Sequence, residues 1–159
     1  MSGYGQTQFI TFQLAEELYG IDILKVEEIQ RMKEISLTRV PQVEDFIEGI
    51  VNLRGNVIPV VDLRRRFGLE DKEIDKQTRI IVVNINDRSL GFLVDRVNEV
   101  IDVDQEAIDD PPEEISRIDS FFIQGIARHE EELVIILEIE SILSSNEQEE
   151  LLEVAAGDQ

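Results

Sequence analysis

The residue with the widest chemical range in this chain is its single histidine, His129, followed at once by Glu130-Glu131-Glu132. An imidazole beside carboxylates can act as a general base or hold a metal. However, apolar runs from Phe121 to Ala127 and from Leu133 to Ile139 flank it, so it falls at a hairpin tip and reads as a solvated turn residue. A second candidate is Asp102-Val-Asp104-Gln-Glu106, with Glu113 at the twelfth place of a calcium-loop count. Such a loop needs a glycine at its sixth place; Ala107 stands there, and Pro111-Pro112 interrupts the run. There is no Gly-x-Ser-x-Gly elbow, no phosphate-binding glycine loop and no His-Glu-x-x-His pair. With 35 acidic residues among 159, paired carboxylates arise by coincidence. Neither catalysis nor a resident metal or cofactor is expected.

Recognition is the chemistry that remains. Residues 49 to 63 read Gly-Ile-Val-Asn-Leu-Arg-Gly-Asn-Val-Ile-Pro-Val-Val-Asp-Leu. Two runs rich in β-branched residues, Ile50 to Leu53 and Val57 to Val61, flank a short Arg54-Gly55-Asn56 turn. The Gly-Asn pair is expected to supply the positive φ of a tight hairpin. One long cation, Arg54, then stands on a rigid tip, either as a recognition element or as an exposed residue in a surface ion pair of little worth. Ile23, Val26 and Ile29 recur at a spacing of three. They could be core, which composition favours, or the lining of an apolar groove for a partner helix.

These residues need elements to position them. Phe9 to Leu14 alternates, with Ile10, Phe12 and Leu14 on one wholly apolar face, and a second strand begins over Leu18 to Ile21. The segment from Ile23 to Met32 fits either a helical stripe or a turn followed by a strand. Val43 to Ile47 suggests one helical turn, and Asp62 a cap for a short helix from Leu63 to Phe67 stopped by Gly68. Strands are expected over Arg79 to Ile85, Leu90 to Val94 and Val97 to Val103, then a long acidic loop from Asp104 to Ser120. Ser145 with Gln148 could form a capping box for a terminal helix carrying Leu151 and Leu152.

The chain also contains itself twice. Phe9 to Leu14 matches Ile80 to Ile85, and at the same offset Gly20 meets Gly91, Val26 meets Val97, Glu28 meets Glu99 and Ile29 meets Val100. A slightly longer offset aligns Gly49-Ile50 with Gly125-Ile126, and Val57 to Leu63 with Leu133 to Ile139. The implied architecture is two small β units of about five strands each. Units this small need a shared core. In the second hairpin Asn52, Arg54, Gly55 and Pro59 become Arg128, Glu130, Glu131 and Ile135. The apolar pattern is thus common to both copies, and the Asn-Leu-Arg-Gly turn occurs once.

Composition narrows the partners. The formal net charge is −20 and there are no cysteines. A surface this acidic repels phosphate backbones and anionic membranes, so nucleic acid is not an expected partner. The absence of cysteine excludes a disulfide scaffold and thiolate metal sites and fits a reducing compartment. No signal-like N-terminal segment and no membrane-length apolar run is present, which predicts a cytoplasmic chain without membrane insertion.

Several segments together resemble the CheW family of chemotaxis coupling proteins: Tyr19-Gly-Ile-Asp-Ile-Leu-Lys-Val-Glu-Glu-Ile29, Phe46-Ile-Glu-Gly-Ile50 running into Asn52-Leu-Arg-Gly55, Ile58-Pro-Val-Val-Asp-Leu-Arg64, Phe67, and Gly91-Phe-Leu-Val-Asp95. The resemblance implies one CheW-like domain over residues 8–145, mainly β. It would comprise two five-stranded SH3-like β-barrel subdomains sharing a core, with short helices. The first subdomain would span about 15–78 and the second 8–14 plus 79–145, with residues 146–159 an acidic tail or helix. The implied function is non-catalytic: an adaptor, monomeric in isolation, between chemoreceptor cytoplasmic hairpin tips and the regulatory domain of the histidine kinase CheA, recruited to membrane-associated receptor arrays. The residues implied at the receptor are Ile23, Val26, Glu28, Ile29, Gly49, Asn52 and Arg54; no motif assigns the kinase contacts. Two other readings stay open on the residues alone. One is a peptide-binding β-barrel module outside chemotaxis, the other a metal-dependent enzyme using acidic residues.

Overall fold

The computed structural model describes residues 5–41, 43–110, 122–144, 147–150 and 153. Glu113, Pro111-Pro112, Phe121, Ser145, Leu151 and Leu152 lie outside them. The first half of the chain forms β1 (Gln6–Leu14), β2 (Glu17–Asp22), β3 (Val26–Arg31), β4 (Leu37–Thr38), β5 (Ile47–Leu53) and β6 (Asn56–Asp62), followed by α1 (Leu63–Arg66). The second half repeats the order as β7 (Arg79–Ile85), β8 (Arg88–Val94), β9 (Arg96–Asp104), β10 (Ile108–Asp109), β11 (Ile123–His129) and β12 (Glu132–Leu137). A 3₁₀ turn, Ile139–Ser141, stands where α1 stood, and a short helical segment begins at 147.

The strands form two six-stranded sheets, β10-β11-β12-β2-β1-β9 and β3-β7-β8-β6-β5-β4. Adding six to each strand number of the first order, with the second half cycling back to the first, reproduces the second. The halves are therefore related by a pseudo-twofold exchange, in which each half gives its first hairpin to the sheet of the other. Each exchanged hairpin is joined on one side in parallel, β2 to β12 and β8 to β6, and on the other antiparallel, β1 to β9 and β7 to β3. The resemblance anticipates only the first strand crossing. In the structure the whole β1–β2 hairpin crosses, and β7–β8 crosses back. The sheets divide the chain after β2 and after β8. Each has six strands instead of five because a two-residue edge strand, β4 or β10, is added.

The exchange explains why the first strand of each half is buried on both faces. Phe9 of β1 packs with Ile101, Val103, Ala127, Val134 and Ile136 inside its own sheet. Ile10, Phe12 and Leu14 point the other way, into a core shared with Ile81, Val83, Ile85 and Phe92 of the opposite sheet. Ile80 and Val82 of β7 repeat the first role with Val51, Ile58 and Val60. A strand covered on both faces needs no polar side, hence the near-continuous apolar run from Ile80 to Val83. Tyr19, Phe67 and Phe122 form a ladder through the shared core, with ring centroids 5.7 Å apart at each step. Arg66 closes it, its guanidinium 4.9 Å from the Phe122 centroid and its Nε donating to the Ile142 carbonyl. Burial and the nearby Glu17 charge push the Tyr19 hydroxyl pKa up to about 12.

Each crossover is pinned by charge. Asp95, between β8 and β9, accepts two bonds from Arg64 of α1, at 2.7 and 2.6 Å, and one from the Ala15 backbone N–H at 2.8 Å. The opposite crossover carries Lys25, whose Nζ lies 2.7 Å from Glu140. Glu140 stands in the 3₁₀ turn that replaces α1. Two local expectations change. Residues 44–47 form a single hydrogen-bonded turn, closed by Ile47 N–H donating to Glu44 O, that does not continue as helix because β5 already begins at Ile47. The terminal cap uses Ser144 and Glu147, one residue before the expected pair. The Gln148 amide is engaged with the Glu140 and Leu143 carbonyls instead.

Candidate partner-binding site

The β5–β6 turn has two residues, not three: Arg54 at φ 53 and Gly55 at φ 83, with Asn56 already in β6. Both positive angles match the right-handed twist of the flanking strands. Arg54, rather than Asn56, therefore accepts the left-handed conformation beside glycine. Asn52 makes the turn tolerable, since its Oδ1 accepts the Gly55 N–H at 3.0 Å. The β7–β8 turn at Asn86-Asp87 repeats the device, with Asn84 accepting from Asp87 N–H at 3.1 Å. Gly49 is buried under β4. A Cβ there would lie 2.3 Å from the Thr38 carbonyl oxygen. Gly125 is held by the same constraint, 2.4 Å from Ile108 Cγ2. Gly49 thus shapes the site through the backbone, and Asn52 holds the turn through its Oδ1 while its exposed NH2 group stays available to a partner.

The edge strand β3 supplies the opposite side. Asp22 caps the 3₁₀ turn Ile23–Lys25 by accepting Leu24 N–H at 2.9 Å, and the turn lies against both β1 and β7. It is therefore where the chain passes from one sheet to the other. A register shift between Val26 and Glu28 follows in the pairing with β7. The extra residue sets Val26 opposite Val83 and Ile29 opposite Ile81, so both fall on the face that looks toward the shared core. Ile23 is half-buried in the turn, Val26 is half-buried against the shared core, and Ile29, opposite Ile81, is 37% exposed at the margin of that face. Leu24, outside the periodic pattern, is 89% exposed at the apex of the turn. Its signal in the sequence was only the preceding Asp22, which marks a cap and so a turned-out residue.

The two sides meet through charge. Arg54 Nη1 lies 2.7 Å from Glu28 Oε2, and Nη2 3.2 Å from Oε1. Glu28 also accepts from the Gln30 amide. The bidentate contact ties edge strand β3 to the β5–β6 turn, which is far from it in the sheet order. Arg54 remains 75% exposed at the side chain while Glu28 is 18% exposed. A guanidinium has five N–H donors, so donors remain for a partner. The site is a half-apolar ridge, Ile23, Leu24, Val26 and Ile29, beside an outward-facing cation whose position is fixed by a carboxylate. It holds no nucleophile or base poised on a substrate cleft. Asp102, Asp104 and Glu106 are not gathered into a ligand set among the described residues.

Comparison with known proteins places this arrangement in a class. A family profile for the CheW-like domain matches residues 8–147. The chain is 37% identical over 150 residues to the chemotaxis protein CheW of Treponema pallidum (strain Nichols), covering 92% of this chain and 87% of that protein. It is 42% identical over 139 residues to that of Helicobacter pylori (strain ATCC 700392 / 26695), covering 87% and 82%. Among solved structures it resembles the scaffolding protein TtCheW from Thermoanaerobacter tengcongensis, with TM-score 0.81, 42% identity, and coverage of 89% and 94%. The fold and site define a non-catalytic β scaffold with SH3-like subdomains. The chain belongs to the CheW family of chemotaxis scaffold proteins. Among the described residues no helix is long and apolar enough to cross a membrane.

Proposed function

We propose that the chain couples the cytoplasmic helical tips of chemoreceptors to the histidine kinase CheA, working in the cytoplasm at membrane-associated receptor arrays. A receptor hairpin lies along the ridge of Ile23, Val26 and Ile29, with Arg54 and Glu28 at its polar margin and Gly49 and Asn52 holding the turn. The regulatory domain of the kinase takes a separate surface, and the adaptor is a monomer when alone. One observation carries the reading: Arg54 is fixed by Glu28 at 2.7 Å yet left largely exposed beside half-exposed apolar residues. Recognition surfaces combine apolar anchors with oriented charge in this way. Two surfaces engaged at once would give receptors control of kinase activity. The test is co-purification of the tagged full chain from native lysate, with receptors and a histidine kinase expected in the eluate. Recovery of neither refutes the proposal.

A further inference from the structure

The pseudo-twofold exchange places a second seam opposite the first. Edge strand β9 and the β11–β12 turn stand to one sheet as β3 and the β5–β6 turn stand to the other. Glu99 of β9 corresponds to Glu28, and Glu130 corresponds to Arg54. The turn geometry is retained: Glu130 and Glu131 have φ 48 and 73, against 53 and 83 for Arg54 and Gly55. The charge is not. At the first seam a carboxylate meets a covalently attached cation. At the second, two carboxylates, Glu99 and Glu130, converge on the imidazole of His129. Among the described residues no lysine or arginine forms an ion pair with either glutamate.

The geometry of the trio suits a metal ion. One ligand atom from each residue lies within 4.8 Å of the others, and His129 Nε2 is 3.5 Å from Glu99 Oε1. An ion binding nitrogen and carboxylate oxygen at about 2.0–2.1 Å in tetrahedral array puts neighbouring ligands roughly 3.4 Å apart. The His129–Glu99 pair therefore needs almost no adjustment, and the pairs with Glu130, within 4.8 Å, close by rotation of an exposed side chain. His129 and Glu99 also line a polar cavity of about 260 Å³ with Thr11, Asn98 and Glu132, which gives water or a further carboxylate access to the remaining positions. Thr11 fixes β9 from beneath, its hydroxyl donating to Glu99 O at 2.7 Å and accepting from Glu99 N–H at 3.0 Å. The ligand-bearing strand is thereby held in register. Surrounding carboxylates, with a chain charge of −20, raise the local concentration of cations.

We propose that Glu99, His129 and Glu130 bind one divalent transition-metal ion of the zinc type, which joins β9 to the β11–β12 turn as Arg54 joins β3 to the β5–β6 turn. The ion is structural: it supplies the positive charge that the first seam carries in its own sequence. One imidazole with two carboxylates selects zinc, cobalt or nickel over magnesium, which favours six oxygens and keeps its waters.

The test is calorimetric titration of the metal-free full chain with zinc chloride, paired with thermal melts at rising zinc. The expected result is saturable one-to-one binding and a Tm that climbs with zinc concentration. Magnesium should give no saturation. Losing outer partners of a metal ligand already costs about 10–100-fold in affinity, so His129→Gln and Glu99→Gln should each weaken binding at least roughly tenfold. Asp87→Asn, which removes one charge from the β7–β8 turn, should bind as the parent does. Titration without saturation, equal saturation by magnesium, or binding that survives either ligand substitution would overturn the site.

Discussion

Arg54→Ala separates recognition from stability because the structure assigns the two effects different sizes. The Arg54–Glu28 pair has one partner 75% exposed, which places it among surface ion pairs worth about 0–1 kcal/mol. Alanine at φ 53 is as strained as arginine, so the turn gains no relief. Glu28 keeps its bond from Gln30 and some contact with solvent, so it is not left as a bare buried charge. The substitution should therefore lower Tm by no more than about 2–4 °C in a chain of this size. A charge-assisted hydrogen bond to a receptor group is worth about 1.5–3 kcal/mol, or roughly ten- to hundredfold in affinity. The assay is binding of a receptor hairpin fragment by calorimetry, beside a thermal melt of the same preparation. A charge swap, Glu28→Arg with Arg54→Glu, sharpens it: the seam should recover its pair and its Tm, while binding stays weak. Unchanged receptor affinity in Arg54→Ala, or full recovery in the swap, would refute recognition by Arg54 and leave only a structural clasp.

Three further outcomes follow from the geometry. Asp95→Ala removes a nearly buried carboxylate from a bidentate pair and strands Arg64, which is 14% exposed, so urea unfolding should show a loss of about 3 kcal/mol. Gly49→Ala drives a methyl into the Thr38 carbonyl at 2.3 Å and imposes φ 153 on an alanine; a loss of about 1–3 kcal/mol is expected, with faster hydrogen exchange in β4 and β5. Asp62 has its pKa raised, first by burial and then by the Glu48 charge. A raised carboxyl pKa means the folded state holds the proton more tightly than the unfolded chain. Its ionised form therefore costs stability above the folded pKa, and the cost vanishes as pH falls below 3.8. Asp62→Asn keeps an oxygen to accept Arg64 N–H, now at 3.0 Å, and should be the more stable protein at neutral pH, the advantage fading in acid melts.

Local elements were legible wherever one short-range rule governed them. Phe9 to Leu14 alternates because the strand has two faces, and Asp62 before Leu63 marks a helix start because its carboxylate can reach Arg64 N–H. The repeat was visible because both halves bury the same pattern. What lay beyond reach was partnership between distant residues. Arg64 and Asp95 are 31 positions apart, and Lys25 and Glu140 are 115 apart. The glycine at 49 was evident as a repeated letter. Its reason, the passage of β4 across its Cα, depends on pairing that no period encodes. The hairpin exchange escaped for the same cause, since a β1–β2 hairpin reads identically whichever sheet receives it. The spacing of three from Ile23 to Ile29 suits a helical stripe as well as a 3₁₀ turn followed by a bulged strand, and only the pairing with β7 separates the two. At the candidate site the pairing of Glu28 with Arg54 was the one contact the motif brought within reach, both residues being named but not their bond.

The two halves agree in backbone and disagree in charge at matching places, and that pattern bears on how a duplicated fold becomes a scaffold. The crossover pin after β6 runs from a basic α1 residue, Arg64, to an acid, Asp95. The pin after β12 runs from an acidic residue, Glu140, to a base, Lys25. The seam at Arg54 is acid to base; the seam at Glu130 is acid to acid around a histidine. The fold demands that each crossover be held and each seam turn adopt two positive φ angles, but neither demand fixes the sign of the charge. Polarity is thus free to diverge while topology stays put. A protein that holds two unlike partners at once needs that freedom, because identical halves would offer the same surface twice and could not discriminate between them.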